Sequence, residues 1–332
     1  MKKKPKITVL AAGRWGITLA HVAAVNGCPV TLWAADGRRA ANLNKRRSLK
    51  KLLPELAELH AGVAVTANAE LACTFADTLV IACAATKIRE VLAEIGPHLR
   101  GNHQIVHAIR GLEGATLAFP SQIVTGETCV LQVGGLLGPV VVEDLLAGKP
   151  NAAVVASAFP NVCKTMQAAF ASPLLRVYAS DDLIGVEVAA AGAAVGALAI
   201  GLCLQLELGA ATLAAFITRG TAELGRVVAA AGGKPESAVG LAGLGDLIAR
   251  RESESREIAA GRLLAKGWGQ KQIEKELGHL EAVDAAMTFA QLARQRGIDA
   301  HLTGAVAAML SGKLTPNDAI RRLMTLEQMA DR

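Results

Sequence analysis

The chain has 332 residues, about twice the ~150 of a typical domain, with 52% hydrophobic and 19% charged residues and a mean hydropathy of +0.35; a single small module and a chiefly disordered chain are both excluded. Its net charge of +6 comes from 35 cations and 29 anions that are dispersed along the chain, so no nucleic acid is expected as a partner, whereas small anions are. Aromatics at 3% and 33 glycines call for an aliphatic core with close backbone approaches, as in helices packed on parallel strands.

In chain order, a basic leader precedes ITVLAA at 7–12, which stops at Arg14, too short for a signal segment, and reads as the first strand. It runs into Ala11-Ala12-Gly13-Arg14-Trp15-Gly16 and then the helical pattern ITLAHVAAVNG. In the dinucleotide-binding pattern G-x-G-x-x-G, the first glycine makes the tight turn, the second admits the pyrophosphate to the backbone, and the third lets helix and strand pack. Here Ala11 stands first, while Gly13 and Gly16 keep the other two roles and the helix start offers its amides to an anion. PVTLWA at 29–34 is the second strand, and Asp36 follows it, 20 residues past Gly16. A carboxylate there accepts from the ribose hydroxyl of NAD, whereas Arg38 and Arg39, just beyond, suit the 2′-phosphate of NADP. The acid favours NAD. The run Lys45, Arg46, Arg47, Lys50 and Lys51 reads as the wet face of a helix.

TLVIAC (78–83), QIVHAI (104–109), CVLQVG (129–134), AAVVAS (152–157) and LLRVYA (174–179) continue the strands. Several are apolar at nearly every position, as expected when helices cover both faces of a parallel sheet. The fold class is therefore α/β, a doubly wound parallel sheet followed by helices, with domains at 1–182 and 183–332. Beyond Asp182 helical patterns take over, broken at AAGGKP (230–235), GLAGLG (240–245) and GKLTP (312–316). The uncharged stretch 188–206, between Glu187 and Glu207, is long enough to span a bilayer. Its Ala and Gly content and its amphipathic successor instead predict a buried helix and no membrane span. His107 reads as a packing histidine, and the seven histidines show no metal-ligand spacing, so no metal is expected. Cys28, Cys73, Cys83, Cys129, Cys163 and Cys203 form no C-x-x-C and read as small buried hydrophobes of a cytoplasmic protein.

Longer motifs carry more. They are GRWGITLAHVAAVNG with LWAAD, IREVL, IRGLE at 109–113, GP at 138–139 with AGKPNAAVVAS, DDLIGVE, FITRGTAELGR, GLAGLGDL, SRE at 255–257 and LEAV at 280–283. On these the chain resembles the NAD(P)-dependent glycerol-3-phosphate dehydrogenase family over nearly its whole length. The resemblance implies a Rossmann-type domain followed by an all-helical substrate and dimerisation domain. It also implies an oxidoreductase that interconverts dihydroxyacetone phosphate and sn-glycerol 3-phosphate with NAD or NADP; the sequence leaves a homodimer open, with the exposed end of the helical domain as the surface for self-association. Together with the turn reading it assigns Gly13, Arg14, Trp15, Gly16, Asp36, Arg38, Arg110 and Glu281 to the cofactor. Gly138, Asp246, Ser255 and Arg256 go to the phosphorylated substrate, and Arg110 and Asp246 to catalysis.

The departures fall on the working positions. The family motif G-V-E-L-G-G-A-L-K-N carries the lysine that exchanges a proton with the C2 oxygen; in register, its lysine is Ala193 and its asparagine Ala194. The lysine of K-G-L-E is Arg110, V-P-S is Cys83, Ala84 and Ala85, G-P-S/T-F-A-K-E runs from Gly138 to Asp144, and S-R-N ends in Glu257. Hydride transfer to a ketone leaves an alkoxide that needs a proton, and a positioned acid typically contributes about 10²–10⁴ in rate. Alanine supplies none, and the Arg110 guanidinium can stabilise charge but cannot shuttle a proton near neutrality. Glu257, beside Arg256, opposes a phosphate if it points the same way. Three readings stay open: a family enzyme impaired by Ala193, a catalytically inactive paralogue that binds a nucleotide or phosphorylated ligand as a sensor or interaction protein, and a reductase for another carbonyl compound.

Overall fold

Short runs rich in β-branched residues form the strands of one sheet: β1 Ile7–Leu10, β2 Val30–Trp33, β3 Val63–Thr66, β4 Thr78–Ile81, β5 Gln104–His107, β6 Gln132–Leu137, β7 Asn151–Ala156 and β8 Leu175–Ser180. The computed structural model describes residues 4–50, 52–113, 116, 118–253 and 255–325; Lys51 of the basic run lies outside them. The strand order is β3-β2-β1-β4-β5-β6-β7-β8, parallel throughout except where β6 meets β7. Both faces are buried. Ile7, Val9, Val80 and Val106 pack on one side, and Leu10, Leu79, Ile81 and Ile105 on the other. Alternate side chains of one strand thus enter different cores, which is why the strands lack an alternating polar pattern.

The covering helices are α1 Arg14–Val25, α2 Gly37–Arg46, α3 Ala69–Phe75, α4 Ile88–Ile95, α5 Pro120–Glu127, α6 Val142–Leu146 and α7 Pro160–Phe170. From there the chain is helical: α8 Leu183–Gln205, α9 Gly209–Ala230, α10 Asp246–Glu252, α11 Arg256–Ala265, α12 Gln270–Leu277, α13 Glu281–Arg296, α14 His301–Leu310 and α15 Pro316–Met324. Residues to Glu113 and Ala118–Glu187 make one compact unit and the chain from Val188 another.

Two strands depart from the sequence expectation. β3 falls within GVAVTAN and buries only Val63 and Val65 fully, as an edge strand does. β6 begins three residues later than CVLQVG suggests and runs through Gly134 and Gly135. Those glycines are required by contact: a Cβ on Gly134 would lie 2.9 Å from the Ala156 carbonyl, and one on Gly135 2.9 Å from His107 Nε2.

α8 is apolar and long enough to cross a membrane, yet 78% of its most apolar window is buried within the protein. Ala193, Ala197, Ile200 and Cys203 form one stripe of it against Leu213, Leu247 and Ile258. GLAGLG is no break; Leu241–Gly245 is a wide helical turn leading into α10, with the Gly245 amide donating to the Gly240 carbonyl at 3.1 Å.

Candidate functional site

In an open parallel sheet ligands bind at the carboxyl ends of strands where the order reverses; here that is β1 beside β4. The chain leaves β1 through Ala11, whose φ of +86° is a left-handed value that costs an L-residue roughly 1–2 kcal/mol. Gly16 is fixed by packing, because a Cβ there would lie 1.9 Å from the Ala11 carbonyl oxygen. Gly13 faces open space, where a Cβ would meet nothing within 4 Å. The first turn of α1 contains no acid and receives no side-chain cap. An open glycine before uncapped amides, without a nearby carboxylate in that turn, fits a dinucleotide pyrophosphate. Ala11→Gly is expected to relieve the strained backbone. Offset by the greater freedom of glycine in the unfolded chain, the gain should be about 0.5–1 kcal/mol, seen as a rise in Tm; an unchanged or lower Tm would show that Ala11 is not strained.

Trp15, Arg110 and Gly138, expected from sequence at the site, line one small pocket at these strand ends with Leu136 and Val140. Arg110 donates to the carbonyls of Gly138 at 3.3 Å and Val140 at 3.1 Å, and Gly138 turns the chain there at φ +114°. Arg14 lies in the same turn, but its guanidinium goes elsewhere, donating to the Leu52 carbonyl at 2.8 Å and to Glu143 at 2.5 Å. Asp36 caps α2, Oδ1 accepting from the Arg38 amide at 2.9 Å.

His107, expected as a packing residue, is fully buried at the end of β5 and lies beside a carboxylate that its neighbours in sequence do not reveal. Its Nε2 lies 3.0 Å from Glu187 Oε1, and its Nδ1 accepts from the Ile109 amide at 3.4 Å. Glu187 accepts from the amide and hydroxyl of Ser121, at 2.9 and 2.5 Å. A buried carboxylate is thereby held at the start of α5.

In the helical unit Asp246 opens α10 and is 2% exposed. Arg250, one turn on and 6% exposed, donates from Nε to Asp246 at 2.9 Å and lies 2.9 Å through Nη1 from Glu257. Burial works against the Arg250 charge, but the two carboxylates outweigh it and hold the guanidinium protonated well above its ordinary range. For Glu257 burial pushes upward and Arg250 prevails, leaving its carboxyl below the usual glutamate value. Glu257 thus faces Arg250, and the condition under which it opposes a phosphate beside Arg256 is not met. Arg250 was missed in the sequence, although its i,i+4 spacing from Asp246 is a legible signal.

Ser255 caps α11 by accepting from the Ile258 amide at 3.4 Å. Arg256 donates to the carbonyls of Leu277 and, at 3.2 Å, His279, just past α12. Glu281 begins α13, half-buried. Ala193, where the resemblance expects a lysine, is 1% exposed and lies in the apolar cluster with Leu247.

The family model described as NAD-dependent glycerol-3-phosphate dehydrogenase N-terminus matches residues 6–163, and that described as the C-terminus matches 182–321. The chain belongs to the NAD-dependent glycerol-3-phosphate dehydrogenase family. Relatives named glycerol-3-phosphate dehydrogenase [NAD(P)+] include one from Paracidovorax citrulli, 37% identical with 96% of each chain covered. Another, from Acidovorax sp., is 35% identical over 98% of this chain and 99% of its own. The crystal structure of glycerol-3-phosphate dehydrogenase from Coxiella burnetii superposes with a TM-score of 0.87 at 28% identity, covering 97% of this chain and 99% of that one. Membership of the family implies that the chain binds NAD or NADP.

Proposed function

We propose that this chain binds NAD(P) and a three-carbon phosphate as its family does, but converts dihydroxyacetone phosphate to sn-glycerol 3-phosphate only slowly. The observation that carries this reading is Ala193, 1% exposed in an apolar cluster, where the family resemblance calls for a proton-bearing amine. When bound, the nicotinamide supplies the hydride. Gly13 and the first amides of α1 hold the pyrophosphate, with Trp15 beside them. Arg110 offers a fixed positive charge that stabilises an alkoxide without protonating it. Ser255 and Arg256 form the phosphate end.

Asp246 supports the same reading. The resemblance makes it the partner of the lysine, and here Arg250 holds it at 2.9 Å, so the residue that would orient a proton donor is already engaged. That engagement also favours a second reading, a non-catalytic binder of a nucleotide or phosphorylated ligand. Six free thiols suit a cytoplasmic setting, and the helical unit is the candidate homodimer surface.

The test is to mix the protein with NADH and dihydroxyacetone phosphate and follow nicotinamide absorbance, with dinucleotide binding measured by calorimetry. Binding with slow turnover supports the first reading. Binding with no turnover at high enzyme concentration selects the second, and rates typical of an efficient enzyme, with kcat on the order of 10–10³ per second, overturn both.

A further inference from the structure

Resting on the dinucleotide reading, we infer that the chain prefers NADP(H) to NAD(H), with Arg39 recognising the 2′-phosphate. The choice between these cofactors is made at the end of the second strand, where a carboxylate accepts from the ribose 2′-hydroxyl and an arginine accommodates the 2′-phosphate. Both residue types are present, and their geometry distinguishes them. Asp36 spends Oδ1 on the Arg38 amide at 2.9 Å, as a helix cap. Arg39, although one residue further into α2, turns back and donates through Nη2 to the carbonyl of Ala12, in the turn between β1 and α1. Its guanidinium therefore lies on the turn that receives the dinucleotide, while the carboxylate serves its own helix.

Charge points the same way. Residues 36–39 carry one carboxylate and two guanidinium groups, and all four are exposed, so the segment is net positive where a ribose 2′-phosphate would add a dianion. The guanidinium fork suits phosphate oxygens better than a neutral hydroxyl. Because Arg39 is held from one nitrogen by a backbone carbonyl, it is oriented before a ligand arrives, which reduces the ordering cost of recognition.

The experiment is calorimetry on the full chain with NADPH and NADH, repeated with 2′,5′-ADP and 5′-AMP, which differ by the 2′-phosphate alone. A charged hydrogen-bonded contact predicts NADPH binding about 10- to 100-fold tighter than NADH, with the preference shrinking as salt is raised. Arg39→Ala should remove most of that preference and leave the NADH affinity within about twofold, the range expected when no contact to NADH is lost; Arg38→Ala should largely preserve it. Equal affinities in the wild type overturn the preference. A parallel loss of NADPH and NADH in Arg39→Ala, or a loss of preference confined to Arg38→Ala, overturns the assignment to Arg39. Failure of both dinucleotides to bind overturns the dinucleotide reading on which the inference rests.

Discussion

Arg250→Met is expected to destabilise the helical unit by about 3–5 kcal/mol, because it leaves Asp246 and Glu257 as buried carboxylates without their shared cation. The loss should appear as a lower midpoint in chemical denaturation. Its pH dependence gives an independent check. In the wild type the Glu257 carboxyl sits below its ordinary value, so its contribution is complete above the unfolded glutamate range, near pH ~4.3, and is lost as pH falls through the lowered folded value. In the variant the sign reverses. Burial alone raises a carboxylate's pKa, so the penalty is largest at neutral pH and shrinks as acidification protonates the pair. Neutralising the partners as well, in Asp246→Asn with Arg250→Met and Glu257→Gln, should recover most of the stability. A single variant as stable as wild type would mean that Arg250 does not hold the two carboxylates.

Restoring the family lysine by Ala193→Lys with Ala194→Asn is expected to leave turnover low. Two obstacles stand in the way. The new side chain must enter a cluster in which Ala193 packs with Ile200, Leu213 and Leu247, where overpacking typically costs about 1–3 kcal/mol and an unpaired amine is driven toward its neutral form. The carboxylate that would pair with it is occupied by Arg250. Adding Arg250→Met and Glu257→Asn releases Asp246 and balances one lysine against one acid. The four changes together should raise kcat by about 10²–10⁴, the range for a positioned proton donor. If the double variant alone reaches that rate, Arg250 is no obstacle. If the quadruple variant folds, binds NADPH and still turns over no faster than wild type, the proton donor is not what limits the reaction.

Much of this was legible in the sequence. The apolar strands and the turn from Ala11 to Gly16 are local facts, since strand length and helical period require only neighbouring residues. The same locality accounts for the errors. β3 shows alternating burial because it lies at the sheet edge, and edge position is a property of topology. β6 extends past the expected end at Gly134, and the need for glycine at 134 and 135 shows only when the Ala156 carbonyl and His107 are seen to leave no room for a Cβ.

The amino-acid order by itself determined the family and the class of fold. Only the tertiary structure decided what its charged residues do: that Glu257 turns to Arg250, that Asp246 is already paired, that Arg14 leaves the phosphate turn while Arg39 returns to it, and that His107 meets Glu187. The reason is that backbone pattern follows from side chains adjacent in sequence, whereas a buried charge is stable only beside a complementary group, which the fold supplies from another part of the chain.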